Sequence, residues 1–171
     1  MPPAVLPLDI VSGVVLYWFA LGLAALARPH HLGFVSRALF PLSVGGAVLL
    51  TVGGVMGLTA EATSLVLPLG LPDLPFHLRM DSLSAFFVVL LGVASTGISI
   101  FSAGYFRHGQ GTAPGLLCLQ YHVFLSAMVL VLVADDAYLF MIAWETMALA
   151  SYFLVTSSHR IPEIRLSLIH I

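Results

Sequence analysis

The chain has 171 residues, of which 60% are hydrophobic and 8% charged, and its mean hydropathy is +1.06. Soluble domains carry about 25% charged residues, so no water-facing surface can be built from this composition and the solvent must be mostly lipid. Six arginines, no lysine and a single cysteine, Cys118, leave no basic patch for nucleic acid and neither a disulfide framework nor a cysteine metal site.

A membrane-crossing helix needs roughly 20 mainly apolar residues. Five segments meet that requirement, at 8–27, 38–58, 82–106, 116–134 and 137–156. Strands of a membrane barrel alternate in polarity at every second residue, and these runs do not. The predicted class is an all-α polytopic membrane protein with five transmembrane helices. The leader of the first run, "MPPAVLPLD", has no basic start, and no small-residue cleavage site precedes the next arginines. That pattern predicts a retained helix rather than a signal peptide.

Charge alternates along the connections. The first, "RPHHLGFVSR", holds Arg28 and Arg37 without an acid; the second, 59–81, holds Glu61, Asp73 and Asp81 against Arg79. The third carries Arg107, the fourth is Asp135-Asp136, and the tail has Arg160 and Arg165 against Glu163. By the positive-inside rule the N-terminus faces outside and the residues after Thr156 face the cytoplasm.

Within the second run, Gly53 and Gly57 form a small-xxx-small pair, with Gly45 and Leu49 expected on the same stripe; Gly92–Thr96 and Thr146–Ala150 repeat the spacing. Such pairs let helix backbones approach closely in lipid. The second connection, "LVLPLGLPDLPFHLRMD", is proline-rich and moderately apolar, which predicts an irregular or short extended segment on the membrane surface.

Two intramembrane residues are candidates for chemistry. His122 lies in "LLCLQYHVFLSAM", about 9 Å into the fourth run. Imidazole titrates near neutral pH in water and so suits proton exchange. Its expected bonding partner is Ser99 or Ser102 on the third helix. Glu145 lies in "WETMALASYFLV", about 12 Å into the fifth run and near the bilayer centre. An acid there costs roughly 2.5–3.5 kcal/mol on insertion scales, and such residues mark ion or proton paths. Its helix neighbours Met141, Ile142, Ala148 and Leu149 cannot pair with it, so any partner comes from another helix or from water. The adjacent Trp144 is expected to shape the acid's pocket. Asp135-Asp136 reads as a helix-capping turn, and His30-His31, with no third ligand at metal spacing, as interfacial residues. No phosphate loop, nucleotide fingerprint or cysteine cluster occurs, so no cofactor is expected in this chain.

The six residues 166–171 are what one frame of a common transposon-library adapter encodes. Residues 1–165 are therefore taken as the native N-terminal transmembrane region, and 166–171 as a non-native tail on what is naturally a longer protein.

The passage "LVADDAYLFMIAWETMALASYFLV" resembles the fourth-to-fifth helix region of the antiporter-like membrane subunits of complex I and the membrane-bound hydrogenases. "LRMDSLSAFF" resembles the start of their third helix, and "SSHRIPEIR" is most similar to the hydrogenase-4 component B and formate hydrogenlyase subunit 3 branch. The resemblance implies a complete protein of about 14 helices built from inverted repeats. It further implies a bacterial inner-membrane location, with neighbouring membrane subunits, a peripheral redox arm and lipid as partners. In the family the fifth-helix glutamate, here Glu145, pairs with a lysine on the seventh helix during proton translocation. On this reading the chain is a transport subunit of an oxidoreductase complex rather than itself a catalyst. The alternatives are a subunit of a multisubunit cation/proton antiporter and a non-transporting membrane anchor.

Overall fold

The computed structural model describes residues 6–71, 73–105 and 112–157. The suspected tail at 166–171 lies outside them. Among the described residues five helices are long and apolar enough to cross a membrane: α1 (Pro7–Leu26), α2 (Leu32–Thr59), α3 (Ser82–Tyr105), α4 (Pro114–Val133) and α5 (Ala137–Thr156). Between α2 and α3 stands an antiparallel hairpin of β1 (Thr63–Leu71) and β2 (Leu74–Met80).

Local chemistry sets the helix starts. Pro7 opens α1, where a missing N–H costs nothing, and the Asp9 carboxylate accepts the Leu6 N–H at 3.1 Å. Asp81 caps α3 by accepting the Ser84 N–H at 2.9 Å. The second helix begins at Leu32, earlier than the apolar run predicts, so Arg37 lies inside it. Pro41 explains how that helix stays continuous. It has no N–H to donate and its ring crowds the preceding turn. The chain absorbs this with a π-helical turn at Val35–Leu39, where the Phe40 N–H reaches back to the Val35 carbonyl.

The helices follow one another in space as α3, α2, α1, α4, α5. Helix α1 is central, with Trp18 fully buried and its indole N–H donating to the Ser43 carbonyl at 3.5 Å. Helix α2 meets two neighbours along two adjacent stripes. Gly46 and Gly53 face Trp18, Ile10 and Val11 of α1, whereas Ala47 and Gly54 face α3. The close approach of α2 and α3 requires glycine on both sides. A Cβ on Gly54 would stand 2.9 Å from the Val89 nitrogen, and one on Gly92 would stand 2.8 Å from the Thr51 nitrogen.

The predicted single stripe is therefore corrected. Gly45 has nothing within 4 Å of where its Cβ would be, and Leu49 is exposed. The Gly53–Gly57 pair does lie in the contacts, Gly53 against Ile10 and Val11 and Gly57 against Met80 and Ala85, whereas the earlier half of the stripe shifts one residue along, to Gly46 and Ala47, because two partner helices flank α2.

The second connection is also more regular than predicted. Its strands pair from Thr63↔Met80 to Leu67↔Phe76, and the register then shifts across Pro68 and Leu69, where Pro68 cannot donate to a ladder. Gly70 resumes the pairing with φ of 115°, a conformation that L side chains rarely adopt. Leu78 and Met80 of β2 are buried.

Candidate functional site

Asp136 begins α5. Its Oδ1 accepts the Leu139 N–H at 2.7 Å and its Oδ2 accepts the His77 N–H of β2 at 2.8 Å. Burial pushes the Asp136 carboxyl up, but the N–H groups of Leu139 and His77, with the nearby imidazole, outweigh it and hold the group below its usual value. The sign follows directly. A carboxylate with a depressed folded value contributes stability above its unfolded value, near pH 4, and that contribution is lost as pH falls through the folded value. The hairpin should therefore stay docked between about pH 5 and 8 and loosen below about pH 4. Hydrogen exchange at β2 amides, measured across that range, checks this.

From this cap α5 runs inward along α4. The stripe Leu139, Ala143 and Ala150 is buried, and the rest of the helix is largely uncovered. Glu145 lies two residues beyond Ala143, about 200° around the helix axis at 100° per residue. It is exposed and forms neither a hydrogen bond nor an ion pair with the described residues. Trp144 is 50% exposed and lies against Phe140 one turn back, with ring centroids 5.8 Å apart. The two side chains belong to the open side of α5, so the acid's surroundings come from outside the described residues.

His122 is wholly buried. Helix α4 starts at Pro114, which puts His122 about 12 Å from its N-terminal end rather than 9 Å. Its Nδ1 bonds the Cys118 carbonyl at 2.7 Å, one turn back. A carbonyl only accepts, so Nδ1 carries the proton and Nε2 presents a lone pair. That Nε2 has no hydrogen-bond partner among the described residues. The ring packs edge-on to Tyr121 at 5.4 Å and against Phe40 at 6.4 Å, close to the π-helical turn.

The predicted serine partner goes elsewhere. Ser99 bonds Tyr121 Oη at 2.9 Å and Ser43 Oγ at 3.3 Å, which joins α2, α3 and α4 through three hydroxyls. Tyr121 and His122 are adjacent, so about 100° separates them on α4. The side facing α3 is Tyr121's. This hydroxyl chain was not foreseen, although the buried Ser95, Ser99 and Ser102 recur at helical spacing and carried the signal.

A cavity of about 250 Å³ between α2 and α3 is lined by Val48, Thr51, Val52, Val93 and Thr96. Both threonine hydroxyls bond their own helix, at Ala47 and Gly92, so this space offers a ligand no free donor from them. Among the described residues no group of three or more His, Cys, Asp or Glu side chains could hold a metal ion.

Comparison with known proteins agrees with this architecture. Residues 67–113 match the family described as NADH-ubiquinone oxidoreductase (complex I), chain 5 N-terminus. The chain is 38% identical over 78 residues to hydrogenase-4 component B of Escherichia coli (strain K12), covering 46% of this chain and 12% of that protein. It is 33% identical over 128 residues to NADH-quinone oxidoreductase subunit L of Mycobacterium tuberculosis, covering 73% of this chain and 20% of that protein. It is 25% identical over 149 residues to formate hydrogenlyase subunit 3 of E. coli, covering 87% of this chain and 22% of that protein. The chain thus spans less than a quarter of the length of these relatives. By these matches and its five long apolar helices, the chain is a relative of the N-terminal part of the antiporter-like membrane subunits of the complex I and membrane-bound hydrogenase superfamily.

Proposed function

We propose that this chain supplies the Glu145-bearing helix of a proton-translocating membrane subunit in a hydrogenase-4, formate hydrogenlyase-like or NADH-quinone oxidoreductase-like complex. The observation that carries the reading is the position of Glu145. An acid stands about 12 Å inside a membrane-spanning helix, on its uncovered side, with no partner among the described residues. A carboxyl there is costly unless something faces it. No described residue pairs with it, so on this reading the facing cation comes from another helix or from a neighbouring subunit. Proton exchange at Glu145 then follows the approach and withdrawal of that cation, driven by redox chemistry in partner subunits. The location is the bacterial inner membrane with the N-terminus outside. In support of that orientation, the connection bearing Glu61, Asp73 and Asp81 meets the Asp135-Asp136 turn at one end of the bundle, the end that the positive-inside rule puts outside. The test is proton movement by sealed vesicles carrying the assembled complex with Glu145→Gln. Pumping at the wild-type rate would sink the proposal.

The unpartnered Nε2 favours His122 as a second exchange group. His122→Leu removes the Nδ1 contacts to the Cys118 carbonyl and Sγ within one helix but also an unsatisfied buried acceptor, whose cost is about 1–3 kcal/mol. Thermal stability should therefore change little while translocation falls several-fold. An unaltered translocation rate in a normally folded His122→Leu protein would return the residue to a packing role.

A further inference from the structure

We infer that Asp136 is a positioning residue, which clamps the outer hairpin to the start of α5 and thereby sets the depth and rotation of Glu145. The inference rests on the proton-exchange role of Glu145 proposed above. Strand β2 pairs with β1 along one edge, and its other edge would ordinarily present unpaired main-chain groups. The α4–α5 turn takes up those groups. The His77 N–H donates to Asp136 Oδ2 at 2.8 Å, and the His77 carbonyl accepts the Asp135 N–H at 2.9 Å. Leu78 and Ala134 form an antiparallel bridge beside them. Three side-chain contacts flank the junction, the first between the His77 imidazole and the Asp136 carboxylate, 3.8 Å apart. Arg79 lies 3.9 Å from the Asp135 carboxylate, and the Phe76 and Tyr138 rings are 5.9 Å apart.

A carboxylate suits this place because it has two acceptor oxygens on separate directions. One caps α5 while the other holds β2. Serine could cap the helix but offers a single oxygen. Asparagine keeps the capping oxygen and turns an NH2 donor toward the His77 N–H, so donor meets donor.

The clamp matters because, among the described residues, α5 is weakly keyed along its length. Its buried stripe there is Leu139 and two alanines, and what faces its opposite side comes from outside those residues. A slip of one residue along the axis moves Glu145 by 1.5 Å and turns it by about 100°. Glu145 is nine residues from Asp136, about 13.5 Å along the helix, so an anchor at the outer end governs both.

The test uses the full-length protein in its native membrane complex, with Asp136→Ser and Asp136→Asn as independent variants. The first readout is disulfide trapping of a Leu78→Cys, Ala134→Cys pair. The second is covalent labelling of Glu145 by a lipid-soluble carbodiimide, followed by mass spectrometry. Each Asp136 variant should slow trapping at least about tenfold, as expected for loss of one hydrogen bond to a charged group. Each should also change the Glu145 labelling rate at least about threefold, and closing the disulfide should restore it. Unchanged trapping and labelling in whichever variant folds overturns the inference. So does altered labelling that the closed disulfide fails to restore, because Asp136 would then act on Glu145 by another route. If trapping and labelling respond as expected but Glu145→Gln still pumps, the clamp stands and the translocation reading falls.

Discussion

Substituting leucine for Gly92 is expected to leave little stable protein in the membrane, whereas the same change at Gly45 should be nearly silent. In lipid, helices gain little from burying apolar surface, since the acyl chains are equally apolar; association rests on close packing. Gly92 is where that packing is tightest. A Cβ there would meet the Thr51 nitrogen at 2.8 Å and the Ala47 carbonyl oxygen at 3.1 Å, and these are backbone atoms that cannot swing aside. Overpacking costs typically about 1–3 kcal/mol where side chains can adjust. With backbone on the other side the cost should reach the top of that range or exceed it. For a chain of this size that is a drop in melting temperature of about 10 °C. Gly45 has open space, so leucine there adds only another lipid-facing methyl cluster. Melting curves of the two variants in the same detergent decide the matter, and equal losses would mean that the α2–α3 contact is not where the fold is held.

Glu145→Gln is expected to lower proton translocation at least tenfold, about 1.4 kcal/mol in barrier height, while protein level and melting temperature stay near wild type. The second half of the expectation gives the first its meaning. Glu145 touches no hydrogen-bond or ion-pair partner among the described residues, and glutamine has the same shape. The substitution therefore removes no described hydrogen bond or ion pair and eases insertion of the helix, since a chargeable group is replaced by a neutral one. Loss of transport with intact assembly would then be a loss of chemistry. Glu145→Asp separates charge from reach: it should retain part of the rate, because the carboxyl remains but ends one methylene short of its facing cation. Equal rates for all three proteins would leave Glu145 as an unused acid.

Much of the architecture was legible from local patterns. Asp135-Asp136 reads as a capping turn, and Asp136 caps α5. The apolar runs reveal the helices because a residue's preference for lipid depends on the residue itself. The start of α2 was misplaced because Arg37 reads as loop, whereas Pro41 and a π-helical turn allow the helix to run through it. Only the first half of the glycine stripe, Gly45 and Leu49, was misplaced, because the second partner of α2 is invisible in a one-dimensional pattern, while Gly53 and Gly57 both lie in contacts. The His122 partner was missed for a similar reason: Tyr121, its neighbour, has the geometry to reach Ser99.

By itself the sequence determined the solvent, the class of fold and the presence of one acid deep in a spanning segment. All three are sums or exceptions along a chain whose residues each meet lipid or water independently. Only the tertiary structure decided which side of α5 Glu145 occupies, which nitrogen of His122 is left bare, and how a surface hairpin comes to hold the start of the Glu145 helix. Those outcomes depend on pairs far apart in the chain, such as His77 with Asp136 at a separation of 59 residues and Ser43 with Ser99 at 56. Such pairs form only once the helices have chosen their neighbours, and that choice is made by packing rather than by hydropathy.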